Sequence, residues 1–186
     1  NVSQNWIYVN MSINETNFAN ITFTLINSTT PVNSTTFNTR IYSINWTSLP
    51  DEHYSYWVNI TDLANNKNST AIYNITLDTT LPNATLLLPV NNNHTNITSF
   101  NFSANLSDGL SGLKNATLYI YNSTGLVNQT TTSFSGTLIN SVGVVVNLVE
   151  GIYTWFYSIF DFAGNTILSL NRTLEIDTTL PNATLI

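Results

Sequence analysis

Apolar and polar residues alternate with a period of two along much of the chain. Phe100-Asn101-Phe102-Ser103-Ala104-Asn105-Leu106 and Ala116-Thr117-Leu118-Tyr119-Ile120-Tyr121 each send one set of side chains to either face, as a half-buried strand does. Further strands are predicted over 83–89, 129–134, 144–149, 152–160 and 167–176, all rich in Thr, Val, Ile, Tyr and Phe, which suit a pleated surface. Turn signals separate them: Asp108-Gly109, Ser111-Gly112, Ser123-Thr124-Gly125, Glu150-Gly151 and Gly164-Asn165. No segment carries a convincing helical period. About seven short strands in about a hundred residues predict a β-sandwich.

The pattern is written twice. Asp78-Thr79-Thr80-Leu81-Pro82-Asn83-Ala84-Thr85-Leu86 returns unchanged 99 positions later as Asp177-Thr178-Thr179-Leu180-Pro181-Asn182-Ala183-Thr184-Leu185. At the same offset Tyr54 meets Tyr153, Tyr56 meets Trp155, Asp62 meets Asp161, Ala64 meets Ala163 and Asn66 meets Asn165. Upstream the offset becomes 95, where the block from Asn20 meets the block from Asn115. A four-residue difference between blocks is what a surface loop absorbs. Like modules in series are the reading of such a repeat. The predicted division is 1–80 for a first sandwich, 81–178 for a second, and 179–186 for the opening strand of a further module.

Gly151-Ile152-Tyr153-Thr154-Trp155, then Asp161-Phe162-Ala163-Gly164-Asn165, then Ile176-Asp177-Thr178-Thr179-Leu180-Pro181 resembles the last hairpin of tandem immunoglobulin-like repeats in bacterial and archaeal surface proteins. In that family a G-x-Y-x-aromatic strand enters a D-x-A-G-N turn, and a D-T-T-x-P linker opens the next module. The first module keeps the order less strictly: Tyr54-Ser55-Tyr56, then Asp62-Leu63-Ala64-Asn65-Asn66, then Leu77 to Pro82. Asn65 stands in for Gly, and Asn also visits the left-handed region. The resemblance implies an all-β fold of two immunoglobulin-like sandwiches and a surface setting; it implies no activity. Independently of it, Tyr153 and Trp155 have the spacing of a tyrosine corner. Tyr153, Trp155 and Tyr157 are expected to line the core rather than to form a sugar-binding platform. Asp161 and Asn165 are expected to cap their own hairpin.

The two modules are unequal at their openings. The second begins with its own first strand, Asn83 to Leu88, whereas residues near Asn5 to Val9 already match the second strand, near Asn101 to Ala104. The chain closes on Asn182, Ala183, Thr184, Leu185 and Ile186, a first strand with no module after it. The two irregularities fit each other. Either the chain is one period of a covalent array, or separate copies donate Asn182–Ile186 to a neighbour by strand addition. Both give head-to-tail self-association into a fibre and cover an open edge. A chain opening on Asn1 also reads as an excised piece of a longer protein.

Composition moves the reading outside the cell. Twenty Asn-x-Ser/Thr sequons occur among thirty asparagines. About a one-in-four chance at each would give about seven or eight. Period-two alternation supplies part of the excess, because it sets Asn and Thr on one face. Candidate attachment sites are Asn27, Asn33, Asn68, Asn93, Asn122 and Asn128, read as loops or strand ends, then Asn20, read on a strand, and Asn115. Charged residues are 8% of the chain, against about 25% in ordinary domains, so Asn, Ser, Thr and glycans must provide solubility. Four basic residues against ten acidic ones, net charge -6, argue against nucleic acid and against an anionic membrane surface. No segment is apolar enough to insert in a membrane. With no cysteine disulfides cannot contribute, and sequon density without cysteine favours an archaeal surface.

Catalytic constellations are not found. His53 and His94 are read as an exposed turn residue and a polar-loop residue, and neither has zinc partners at a useful spacing. No phosphate-cradling Gly-rich loop or G-x-S-x-G elbow occurs. No cofactor and no metal ligand is assigned. Calcium at a module junction is the one metal to weigh, because Asp62, Asp78, Asp108, Asp161 and Asp177 lie in loops and junctions; local turns are the expected role. The expected function is a non-enzymatic structural repeat of a heavily N-glycosylated extracellular filament or surface layer. The alternative is a stalk or carbohydrate-binding module of a secreted adhesin or enzyme.

Overall fold

The computed structural model describes residues 1–28 and 30–185. They divide into two compact units, Asn1–Thr80 and the part from Leu81 onward. Every named element is a strand, so the chain is all-β among the described residues.

Unit 1 holds β1 (Ile7–Asn10), β2 (Phe18–Asn27), β3 (Thr30–Phe37), β4 (Ser43–Trp46), β5 (Glu52–Asp62), β6 (Lys67–Ser69) and β7 (Tyr73–Leu77). Its larger sheet runs β3-β2-β5-β6, with β7 also on β5; its smaller sheet is β1 against β4. Alternation decides which side chains go inside. On β2, Ile21, Phe23 and Leu25 are fully buried while Asn20, Thr22 and Thr24 face outward. Ile7, Val9 and Trp46 of the small sheet close over them with Tyr54, Val58 and Leu77.

Unit 2 holds β8 (Asn83–Leu88), β9 (Asn93–Thr95), β10 (Ser99–Ser107), β11 (Leu113–Asn122), β12 (Gly125–Ser133), β13 (Ile139–Asn147), β14 (Gly151–Asp161), β15 (Thr166–Leu168) and β16 (Arg172–Ile176). One sheet is β13-β10-β8, and the other is β12-β11-β14-β16-β9 with β15 on β14. The stretch predicted as one opening strand is followed by a second: β8 joins one sheet, and β9 crosses to pair in parallel with β16. His94, expected in a loop, therefore lies on β9, its Nδ1 2.8 Å from Glu175. His53, expected as an exposed residue at a strand start, is the second residue of β5 and exposed, with Nδ1 2.9 Å from Thr76 Oγ1. Between the sheets Phe102, Leu106, Leu118, Ile120, Trp155, Tyr157 and Leu174 are excluded from solvent. Fully burying a side chain of this size contributes about 1.5–3 kcal/mol.

The tyrosine corner occurs in both units. Tyr54 donates to the Pro50 carbonyl at 2.9 Å and Tyr153 to the Val149 carbonyl at 3.0 Å, each four residues upstream. Trp155 packs edge-on to Phe102, with ring centroids 5.2 Å apart. Trp155 and Tyr157 are wholly buried, so neither presents a ring to a ligand. Burial also pushes the Tyr157 phenol far above its ordinary pKa, and its hydroxyl donates to the Phe102 carbonyl at 2.8 Å.

Candidate assembly edge and site residues

Pairing and packing set the units in register: β1 corresponds to β10, β4 to β13, β5 to β14 and β7 to β16. In unit 2, β10 is flanked on both sides, by β13 and by β8. Leu86 of β8 lies opposite Ala104, and Ala84 lies opposite Leu106. Leu86 is 7% exposed and belongs to the core. Arg172 pins this strand, donating to the carbonyls of Leu86 (2.6 Å), Leu87 (2.8 Å) and Pro89 (2.9 Å), while its guanidinium sits 5.9 Å over the Trp155 ring.

Unit 1 has no counterpart of β8 among the described residues. Strand β1 pairs with β4 alone. A cleft opens along it, with Tyr8, Val9 and Met11 on one wall and Tyr56, Val58 and Tyr73 on the other. Tyr73 stands where unit 2 has Arg172, stacks on Tyr56 at 5.6 Å, and is 54% exposed. The counterpart of β9 survives as a single parallel bridge, Val2 to Leu77. An unflanked strand exposes unpaired amides and carbonyls that invite another strand.

The sequence that fills this position in unit 2 is repeated at the tail. Asn182–Leu185 is identical to Asn83–Leu86; here it is exposed, forms no strand, and has Leu185 fully in solvent. Ile186, the last residue of the expected assembly strand, lies outside the described residues.

The expected hairpin caps are present. Asp161 Oδ1 accepts from the amides of Gly164 (2.7 Å) and Asn165 (2.8 Å), and Oδ2 accepts from Asn165 Nδ2 at 2.7 Å. Asp62 makes the same two bonds with Asn66, and its Oδ1 accepts in addition from the amide of Ala64 at 2.8 Å. Asn65 takes a positive φ of 66 there, the conformation that Gly supplies in unit 2. The D-T-T linker has a local role that pattern reading missed. Asp177 Oδ1 accepts from the Thr179 amide at 2.9 Å, and Thr178 Oγ1 donates to Glu150 at 2.6 Å. Hydrogen bonds from Thr178, then from Thr179, hold the Glu150 carboxyl below its ordinary value of 4.5. In unit 1, Thr79 and Thr80 donate to Asp51 at 2.9 Å and 2.8 Å.

None of the twenty sequon asparagines is buried. Asn68 is exposed, and Asn20, Asn27, Asn33, Asn93, Asn115, Asn122 and Asn128 are half-exposed. Asn33 and Asn128 lie inside β3 and β12 rather than in loops, and Asn93 lies on β9. Asn33, Asn122 and Asn128 accept from the hydroxyl of their own sequon Thr at 2.6, 2.7 and 2.9 Å, and Asn33 also accepts from Trp46 Nε1 at 3.2 Å. These bonds use the amide oxygen, whereas the glycan attaches at nitrogen. On the outer face of β11 and β14 stand Tyr119, Tyr121 and Phe156, and Phe160 and Phe162 are exposed as well. The rings of the first three are nearly parallel, with centroids 5.3 to 6.5 Å apart. That is offset stacking, a ladder of rings rather than the flat coplanar row a sugar face needs. No helix among the described residues is long and apolar enough to cross a membrane.

Two facing β-sheets per unit, a tyrosine corner and a capped last hairpin define the class: immunoglobulin-like β-sandwiches in tandem. The chain is similar in structure to the fibronectin(III)-like modules of Clostridium thermocellum CbhA, at 12% identity and a TM-score of 0.45, over 99% of this chain and 92% of that one. It is similar to the tetra-tandem repeat in the extending region of a large adhesion protein, at 18% identity and a TM-score of 0.48, over 95% of this chain and 50% of that one. Against the FN1-FN3 domains of chicken CNTN1 the values are 10% and 0.40, over 94% and 61%. No family model matches the chain, and no curated protein matches it.

Proposed function

We propose that the chain is a non-enzymatic structural repeat of a heavily N-glycosylated extracellular filament or surface layer, assembled head-to-tail. Asn182–Leu185 of one copy enters the cleft beside β1 of the next. One observation carries this reading: the position that β8 occupies in unit 2 is open in unit 1, and the sequence of β8 is repeated at the tail. Leu185 would then take the place of Leu86 against Val9, and Ala183 that of Ala84 against Met11, following the β8–β10 register. The D-T-T-L-P linker has the same form after both units, which favours copies joined in one covalent array. Surface sequons and a nearly uncharged composition support a glycosylated, extracellular setting.

Light scattering over a concentration series tests the contact. The recombinant chain is expected to form multiples of its 20.6 kDa mass, and Leu185→Asp to stay single, because a carboxylate would be buried without a partner. A wild-type chain that stays single at every concentration would end the proposal. Intact mass of the native material tests the coat: peptides bearing exposed sequons such as Asn68 are expected to carry added sugar mass.

A further inference from the structure

We propose, resting on the glycosylated reading above, that Asn45 carries an N-linked glycan whose first pyranose packs on the Tyr8 ring. Asn45-Trp46-Thr47 is a sequon at the end of β4. Strand β4 pairs with β1 alone, so the sequon lies on an unflanked edge. Asn45 and Thr47 are exposed while Trp46 between them is buried, so alternation turns both sequon side chains to solvent. The chain leaves the strand at once, with Ser48 at a positive φ of 57.

Register sets an aromatic ring beside the acceptor. Tyr8 lies directly opposite Asn45. One step beyond the ladder the Met11 amide donates to the Tyr42 carbonyl at 2.9 Å. Bonded pairs alternate with non-bonded ones, so Val9–Ile44 and Ile7–Trp46 are bonded and Tyr8–Asn45 is not. A non-bonded pair brings its Cα atoms to about 4.5 Å and its side chains closest together. Tyr8 is 53% exposed and points away from the core that Ile7 and Val9 enter. Extending the register one step sets Trp6, 42% exposed, beside Thr47. The axial C–H groups of a pyranose carry partial positive charge, which suits the negative face of an aromatic ring. One attached sugar needs one ring, not a row, and its bond to Asn45 keeps it at that ring. The donated tail would flank β1 on its other edge, so sugar and tail do not compete.

Unit 2 provides an internal contrast. With Val9 set on Ala104, Tyr8 corresponds to Ser103, and Asn45 to its partner Gly143. Acceptor and ring are both present in unit 1 and both missing in unit 2. A side chain at Gly143 would come 2.7 Å from Asn101 Oδ1, so that position has no room for an acceptor. The sequon residues Asn101 and Asn105 on this face of β10 lie opposite Val145 and Ser141 of β13, not opposite aromatic rings.

Attachment draws the sugar from a lipid-phosphate-linked oligosaccharide. The bond from the anomeric carbon to the phosphate oxygen breaks, and that carbon bonds to Asn45 Nδ2. Nδ2 gives up one proton, and the lipid phosphate leaves with the electron pair.

The full chain, secreted from a host that N-glycosylates, tests both the site and its seat; Leu185→Asp in every version keeps assembly from contributing. Glycopeptide mass spectrometry is expected to find sugar at Asn45. Removing that glycan, by Asn45→Gln and separately by Thr47→Ala, is expected to lower the melting temperature of unit 1 by on the order of 5 °C. With Tyr8→Ser the effect of removal is expected to vanish, and with Tyr8→Phe to persist. Proton NMR supplies a readout that a merely structural tyrosine would not move: ring protons of the innermost sugar are expected upfield, and at ordinary positions in Tyr8→Ser. A bare Asn45 beside an occupied Asn68 would overturn the proposal and leave the sugar coat standing, whereas a chain bare at every sequon would overturn both. Equal loss of melting temperature with and without Tyr8→Ser would overturn the seat.

Discussion

Trp155→Ala is expected to cost unit 2 about 3–5 kcal/mol of its unfolding free energy, in the range for removing a buried Trp. The ring is fully buried, meets Phe102 at 5.2 Å and 79°, and meets Tyr157 at 6.3 Å and 85°. Removing it strips both neighbours of an edge-on partner and leaves a cavity that a stiff sandwich closes only in part. The loss reaches further than the hole. Arg172 lies over the same ring and holds the carbonyls of β8, so its guanidinium loses the surface that orients it. With no cysteine in the chain there is no cross-link to limit the damage, and a domain has only about 5–15 kcal/mol to lose. Urea unfolding should show the transition of unit 2 moving far to lower denaturant while that of unit 1 stays in place. Tyr56→Ala, at the half-buried counterpart position in unit 1, is expected to cost less than half as much. A Trp155→Ala loss below about 1 kcal/mol would contradict the core described here.

Features written into neighbouring residues could be read before the fold was known. Alternation located β10 and β11, and the turn residues around them marked where each ends. The hairpin caps at Asp161 and Asn165 and the tyrosine corner at Tyr153 act over four residues, so spacing alone conveys them. What escaped reading depends on partners far along the chain. Arg172 reaches carbonyls 83 to 86 residues away, and nothing near it signals that reach. Strand β9 is Asn93-His94-Thr95, three polar residues with weak strand propensity; its parallel pairing with β16 makes it a strand. Tyr8 and Asn45 meet only through the register of β1 against β4. Exposure of the sequons is likewise set by the fold. Asn101 and Asn105 on β10 are exposed, while Asn33 on β3 accepts from Trp46. The outward face of a sheet is as open to solvent as a turn.

Placing a copy of the Leu81–Asn93 segment ahead of Asn1 is expected to stabilise unit 1 and to abolish self-association together. The junction follows from the parallel pairing. The Val2 carbonyl accepts from the Asp78 amide at 3.1 Å as the Thr95 carbonyl accepts from the Asp177 amide at 2.9 Å, so the residue preceding Asn1 corresponds to Asn93. The added strand would lie on β1 as β8 lies on β10, with the copied Leu86 entering the cleft between Val9 and Val58. Burying one leucine contributes about 1.5–3 kcal/mol, and each edge hydrogen bond about 0.5–1.5 kcal/mol net. Ordering the new residues offsets much of this, and the expected outcome is a rise in the melting temperature of unit 1 on the order of 5 °C. Tyr73→Arg in the same chain restores the clamp that Arg172 supplies in unit 2 and is expected to add to the gain. Aspartate at the copied Leu86 position is expected to cancel it and to bring self-association back. The fused strand and the tail compete for one groove, so stability and assembly must change in opposite senses. A fusion that stabilises unit 1 while multimers persist would mean that the tail binds somewhere other than beside β1.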